Sequence, residues 1–297
     1  MILVTGGTGF IGRRLVQQLV SSGYPVRTLL KPSKSSPNLP KGISVEATVC
    51  SLSDTRGLSA ALKDIEVIFH LAGTERQATK ADLNGVDILG TKNLMEAARS
   101  SKVKRVFYLS YLGADQNSAY PVLKAKAIAE KFIEKSGVAY TIFRCANVYG
   151  PGDQFLVSLA KLLKRSPGFF IMPGNGLSAL QPLWIDDLIA AISVAMQETN
   201  SLNEILEIGG GEIYTFREIV ELLLDTLNLK RVLVSLSPAY LRIIAVYMDQ
   251  FIKFFPVSLF WLDTLAEDRT TSLDVLSRRF GILPARLTQQ INFLTGE

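Results

Sequence analysis

Between a short apolar run, Ile2-Leu3-Val4, and a segment with Leu15, Val16, Leu19 and Val20 at helical spacing, the chain places Gly6, Gly7, Gly9 and Gly12. A buried strand that turns through glycines straight into a helix leaves few architectures open. Gly6 permits the tight turn, Gly9 lets a ligand approach the backbone, and Gly12 lets the helix pack close to the strand. The backbone N–H groups of the helix start then face an anion, and a pyrophosphate is the anion this geometry suits. Gly6, Thr8, Gly9, Phe10, Ile11, Gly12 and Arg13 are therefore the first candidate cofactor-binding residues.

The first forty-five residues hold six basic side chains and no Asp or Glu. A dinucleotide fold that prefers NAD usually has an acid near the end of its second strand, to accept hydrogen bonds from the ribose 2'-hydroxyl. Here that strand ends Thr28-Leu29-Leu30, and Lys31, Ser33 and Lys34 follow. A carboxylate would repel a 2'-phosphate, whereas Arg13, Lys31 and Lys34 neutralise it. NADP(H) is the expected cofactor, with NAD(H) as the alternative. The plainer reading of the same cations is a solvated rim around a Ser/Pro-rich loop.

Further strand-like runs fall at residues 43–49, 67–71, 103–110 and 140–144, separated by helical patterns at 55–62, 81–101 and 121–136. That alternation predicts an α/β fold, a Rossmann-type doubly wound parallel sheet. From Gly150-Pro151-Gly152 onwards Gly and Pro punctuate the chain, helical spacing returns after Asp187, and residues 205–208 read as one more strand. The expected organisation is a dinucleotide-binding domain at 1–150, joined again by 186–209, with a smaller, interleaved lobe from 151–185 and 210–297.

A chain of 297 residues suffices for such a core, and its net charge of +5 is not gathered into a basic run with interleaved aromatics, so nucleic acid is not an expected partner. Cys50 and Cys145 point to a reducing compartment, and with the single histidine, His70, they make no zinc site. With a strand from residue 2 and no apolar run of spanning length, the expected location is cytoplasmic, or peripheral at a membrane.

Several stretches resemble the extended, in part atypical, short-chain dehydrogenase/reductases, a group that includes the NAD-dependent epimerases and dehydratases. They are Thr5 to Gly12, His70-Leu71-Ala72-Gly73, Gly90-Thr91-Lys92-Asn93-Leu94, Arg144 with Asn147-Val148-Tyr149-Gly150-Pro151, and Pro182 to Leu188. A narrower likeness, to relatives of the nucleotide-binding accessory subunit of respiratory complex I, is carried by Ser110 to Ala114, Gln181-Pro182 and Glu267-Asp268-Arg269-Thr270. The resemblance implies a cofactor over the carboxyl ends of the strands, with Leu71, Ala72, Gly73 and Ser110 near the nicotinamide. It implies Ser51 and Leu52 beside the adenine, where the family often has an Asp-Leu pair. His70 reads either as a buried strand-end histidine or as a proton carrier, and Asn147 and Tyr149 as substrate contacts or loop anchors. Asp186 and Asp187 read as caps of the helix that follows.

The family's chemistry uses a Tyr hydroxyl, a Lys four residues later that lowers its pKa and holds the ribose, and a Ser or Thr that orients substrate. Tyr120 and Lys124 have that spacing, but Pro121 pushes Tyr120 out of helical geometry. In a second register Lys126-Ala127-Ile128-Ala129-Glu130 matches better; the Tyr position is then Val122 and the Ser position Leu112, neither able to carry a proton. The candidate catalytic residues are Ser110, Tyr120, Lys124 and Lys126, with Lys126 also a ribose ligand and Tyr111 or Tyr149 as displaced hydroxyls. Two functions follow: an oxidoreductase for a carbonyl, alcohol or sugar-nucleotide substrate, or an NADPH-holding structural or regulatory subunit. Finally, Leu241, Ile244, Ala245, Met248, Phe251, Ile252 and Phe255 form an apolar stripe, so residues 238–262 read either as core or as a protein or membrane contact.

Overall fold

The computed structural model describes residues 1–33, 39, 42–74, 81–251 and 259–295. It opens with β1 (Ile2–Thr5), buried at every position, and α1 (Phe10–Ser21), which turns Gly12, Leu15, Val16 and Leu19 inwards. A strand buried on both faces needs no polar alternation, which is why β1 reads as a plain apolar run. β2 (Val26–Leu30) and β3 (Glu46–Val49) follow, then α2 (Thr55–Ala61), whose N-terminus is capped by the Asp54 carboxylate accepting from the Gly57 N–H at 2.9 Å. After β4 (Val67–His70), a π-type helical segment, Leu83–Gly90, runs directly into α3 (Thr91–Arg99). β5 (Arg105–Tyr111), α4 (Pro121–Glu134) and β6 (Ala139–Cys145) complete the alternation.

These strands form one seven-stranded sheet in the order Glu204–Ile208, β6, β5, β4, β1, β2, β3. Ile2 lies opposite Val26 on one side and Val67 on the other, and the pairing of β1 with β2 and β4 is parallel. The chain winds outwards from β1 to β3 and then returns to β4. The strand order therefore reverses between β1 and β4, where Thr5 opposes His70. Open α/β sheets bind their ligands at the carboxyl ends of the strands at such a switch. The expected doubly wound parallel sheet is the observed one. β3 begins later than residue 43 and is largely exposed, as an edge strand, and the helix expected over 81–101 divides into a wide turn and a regular helix.

The chain divides into two compact units. One comprises Met1–Glu75, Asp82–Arg144 and Ile192–Leu206; the other Arg76–Ala81, Cys145–Ala191 and Glu207–Glu297. In the first, Leu3, Ile68, Val106, Leu58, Leu62, Leu94 and Ile133 form a continuous apolar core. Arg105 is buried there by stacking over Phe107 at 4.4 Å and by bonding Thr141, Ser201 and the Glu198 carbonyl.

In the second unit the Gly/Pro-punctuated stretch forms two-residue strands and one longer parallel pair, Phe169–Pro173 with Val232–Leu236. Tyr149, Phe155, Leu156, Phe216, Ile219 and Leu223 make its core. Two of the motifs behind the narrower likeness are stitched together here. The Gln181 side chain is fully buried, donates to the Gly210 carbonyl at 2.6 Å and accepts from the Thr271 N–H at 2.7 Å, while Asp268 and Arg269 bond the backbone of Ala179. The expectation that Asp186 and Asp187 cap a helix is corrected. Both lie inside the first turn of the helix Ile185–Gln197, and Asp187 accepts from the Ala285 N–H at 2.8 Å.

Candidate functional site

The turn from β1 to α1 is built by its glycines. Gly6 has φ +71°, and a β-carbon there would meet the Leu71 carbonyl and the Ala72 nitrogen at 2.6 to 2.8 Å. A β-carbon on Gly12 would overlap the Gly6 carbonyl. At Gly9, which caps α1 in extended geometry, a β-carbon would meet the Gly6 carbonyl at 3.2 Å and nothing else within 4 Å among the described residues outside α1, so this side of the turn has room. By helix geometry the N–H groups of Phe10, Ile11 and Gly12 have no partner inside α1, Gly9 at the cap has no side chain to offer them, and no acid stands in the first turn. Gly6 also presses Leu71 and Ala72 against the turn, so the two loops form one surface at the switch between β1 and β4. This is a cradle of backbone donors with the shape and polarity for a pyrophosphate.

A directed chain of hydrogen bonds underlies that surface. The Ala72 N–H donates to Thr5 Oγ1 at 3.3 Å, Thr5 Oγ1 lies 2.7 Å from His70 Nδ1, and His70 Nε2 lies 2.9 Å from Thr91 Oγ1. Thr91 spends its proton on the Asp87 carbonyl at 2.6 Å, so it accepts from His70; Nε2 carries the hydrogen and Nδ1 accepts from Thr5. Burial, and then the charge of Lys126, push the His70 pKa down to about 3. His70 is thus a neutral strut satisfied by two threonines, not a proton carrier at neutral pH.

The catalytic candidates separate. Tyr120 caps α4 with φ −91° and ψ 116°, followed by Pro121 in the first turn, and Lys124 is exposed. Lys126 is buried: its Nζ lies 3.7 Å from Asp87 Oδ1, 5.2 Å from the Tyr108 ring centre and 5.6 Å from that of Tyr111. Ser110 sits between those tyrosines in sequence on β5, its Oγ buried without a hydrogen-bond partner. Val122, one turn before Lys126, and Leu112 are both buried. Glu130, one turn after Lys126, holds Arg144 of β6 through two hydrogen bonds, at 2.7 and 3.1 Å. The Lys-Ala-x-Ala-Glu spacing is therefore the inward face of α4. Tyr149 is fully buried beside Trp184, and burial pushes its hydroxyl well above the usual tyrosine range, which removes it as an acid or base.

The remaining described cofactor candidates lie in the same unit as the cradle. Thr5 pairs with Leu29, so Leu30 and Lys31 leave β2 level with Gly6 and Gly7, and Lys31 is exposed. Arg13 lies half-buried in the first turns of α1; Lys34 lies outside the described residues. Ser51 Oγ bonds Ser53 Oγ at 2.7 Å, and the Leu52 carbonyl is held by the Asn93 side chain at 3.0 Å. Sequence reasoning missed Asp87, whose Oδ2 also accepts from the Thr74 N–H and hydroxyl. Its signal was a lone acid in the apolar run Val86-Asp87-Ile88-Leu89, four residues before Thr91. Among the described residues no group of three His, Cys, Asp or Glu side chains is placed to hold a metal.

A doubly wound sheet with a glycine cradle at its switch point defines a dinucleotide-binding protein of the Rossmann class. More narrowly, the chain belongs to the NAD dependent epimerase/dehydratase family, whose profile matches residues 2–209. It is 29% identical over 231 residues to the mitochondrial NADH dehydrogenase [ubiquinone] 1 alpha subcomplex subunit 9 of Arabidopsis thaliana, covering 76% of this chain and 57% of that protein. It is 28% identical over 222 residues to the photosystem II assembly factor Ycf39 of Cyanophora paradoxa, covering 74% of this chain and 67% of that one. The match thus spans little more than half of the first relative. Among solved structures, a UDP-glucose 4-epimerase from Thermotoga maritima shares the fold with a TM-score of 0.74 at 22% identity, covering 99% of this chain and 97% of that one.

Proposed function

We propose that this chain is an NADP(H)-binding, oxidoreductase-like member of its family, acting on a small carbonyl, alcohol or sugar-nucleotide substrate in the reducing cytoplasm. One observation carries the choice of cofactor: the strand β2 leaves the sheet beside the glycine cradle as Leu30-Lys31, with no acid before Glu46. In this reading Gly6, Thr8, Gly9, Phe10, Ile11 and Gly12 hold the pyrophosphate, and Arg13 and Lys31 meet the 2'-phosphate. Ser51 and Leu52 line the adenine side, and Leu71, Ala72 and Gly73 the nicotinamide side. Isothermal titration should give NADPH binding at least about tenfold tighter than NADH, and Lys31→Glu should erase that margin. NADH binding as tight as NADPH ends the NADP(H) reading.

A bound nicotinamide supplies the hydride chemistry itself; the side chains here supply position, an apolar surround and a proton. Lys126 would hold the ribose, and Ser110 Oγ offers an unspent hydrogen bond at the end of β5. The proton comes from Tyr120, at the open end of α4. Tyr120→Phe should then abolish turnover of NADPH with a carbonyl panel while leaving its binding intact. Turnover at the unaltered rate removes that assignment.

Val122 and Leu112, buried where the family carries its Tyr and Ser, favour a second reading: a subunit that holds NADPH without consuming it. Tight retention of NADPH through purification, with no hydride exchange across the same panel, selects it. Two relatives are by name a subcomplex subunit and an assembly factor, which suits this reading.

A further inference from the structure

In the second unit the parallel pair Phe169–Pro173 and Val232–Leu236 has two unlike faces. Phe170 and Met172 are buried in the core, whereas Phe169, Ile171, Val232 and Val234 are 45%, 40%, 67% and 45% exposed. The register sets Val232 beside Phe169 and Val234 beside Ile171, so these four side chains form one outward apolar face. Soluble surfaces scatter such residues singly; a paired set marks a contact. The apolar exposure continues along the chain into the helix Pro238–Phe251, where Tyr240, Ile243 and Ile244 are 64%, 55% and 43% exposed.

The segments that carry this face are basic in sequence. Residues 161–174 carry Lys161, Lys164 and Arg165 and no acid; residues 226–248 carry Lys230, Arg231 and Arg242 and no acid. The two strands start side by side, the Val232 N–H bonding the Gly168 carbonyl at 3.0 Å, so Lys164-Arg165 and Lys230-Arg231 enter the pair at the same end. Arg242 is matched by Asp263 at 2.8 Å, whereas Arg231 donates to the carbonyls of Leu163 and Lys230, which leave its charge in place. An apolar face bordered by cations complements an anionic lipid surface: the side chains enter the acyl boundary while the cations meet phosphate headgroups. No described helix is long and apolar enough to cross a membrane, so the contact is peripheral.

We propose that the outer face of this strand pair, with its Arg165 and Lys230 border, docks the protein on anionic phospholipid membranes. Another protein would be expected to present matching acids and a shaped apolar partner; a lipid surface needs only fluid apolar depth and negative charge, which is what an apolar strand face entered by Lys164-Arg165 and Lys230-Arg231 asks for.

The full chain is sedimented with vesicles of phosphatidylcholine alone and of phosphatidylcholine containing about one third phosphatidylglycerol. Binding is expected to the anionic vesicles and to weaken as salt rises. Ile171→Asp with Val234→Asp, and separately Arg165→Glu with Lys230→Glu, should each lower partitioning at least about tenfold, since each cation near such a surface contributes roughly fivefold. These side chains are outward-facing, and an unaltered NADPH affinity and thermal midpoint confirm that each variant is folded. Equal binding to neutral vesicles, no binding to either, or binding indifferent to both variants overturns the proposal. So does a concentration-dependent dimer that the Ile171/Val234 variant abolishes, which would make the face a contact between copies.

Discussion

Two strand-to-helix connections of the same sheet, β1 to α1 and β5 to α4, have opposite requirements. The first works through backbone alone: its glycines place N–H groups, and a β-carbon at Gly6 or Gly12 would meet main-chain atoms that cannot move aside. The second works through side chains, and there Leu112 and Val122 are packed as core while Lys126 is turned towards Asp87. Binding geometry made of backbone tolerates change in its surroundings. A proton relay made of three side chains needs each of them, and with Leu112 and Val122 buried at two of the family's positions the hydroxyl has to come from elsewhere, as the proposed role of Tyr120 supposes.

The contrast is tested most strongly at Lys126. If the β5 to α4 connection is now a packing element, Lys126→Met should remove the counter-charge of a buried carboxylate and destabilise the protein by about 4 kcal/mol, measured by urea unfolding. A stability loss below about 1 kcal/mol would show Lys126 to be a site residue held there for a ligand. Next in size is a pH effect under the glycine cradle. His70 is neutral in the fold and ordinary when unfolded, so its contribution is complete above about pH 6.5 and is lost as pH falls towards its folded value of about 3. Between about pH 7 and pH 4 this costs about 3 kcal/mol, and His70→Gln should flatten that part of the unfolding profile. An unaltered slope in the variant would assign the acid lability to other groups. Smallest in stability is Gly12→Ala, about 2 kcal/mol from overlap with the Gly6 carbonyl, yet it should lower NADPH affinity by at least about tenfold as α1 is pushed off the turn. Unchanged affinity would mean that the cradle is not where the cofactor sits.

The sheet was legible in the sequence because buried parallel strands are apolar runs and glycines mark where β1 becomes α1. The helix α4 was legible too, and the family's Lys-Ala-x-Ala-Glu spacing drew attention to Lys126 and Glu130, which the fold buries. What escaped has physical causes. The π-type segment Leu83–Gly90 has no distinct period in composition, so it merged with α3. Asp87 gained its role from Thr74 and Lys126, thirteen residues before it and thirty-nine after, and no local pattern encodes such a meeting. The pair Phe169–Pro173 and Val232–Leu236 was hidden by flanking Gly and Pro and by a partner far along the chain. The stripe from Leu241 lies on a helix that begins at Pro238; Ile244 within it is exposed, and its side chains beyond Ile244 lie outside those described.

The directed chain from Ala72 through Thr5, His70 and Thr91 to the Asp87 carbonyl leaves one further consequence, for how such a sequence drifts. Thr5, His70 and Thr91 each donate one hydrogen bond and accept another, so no single replacement among them by an apolar or donor-only residue leaves its neighbours satisfied. Serine can stand for either threonine, but valine at Thr5 strands a histidine nitrogen and an amide together. The three positions therefore constrain one another: a change at one that removes a donor or an acceptor has to be met by a change at its neighbour.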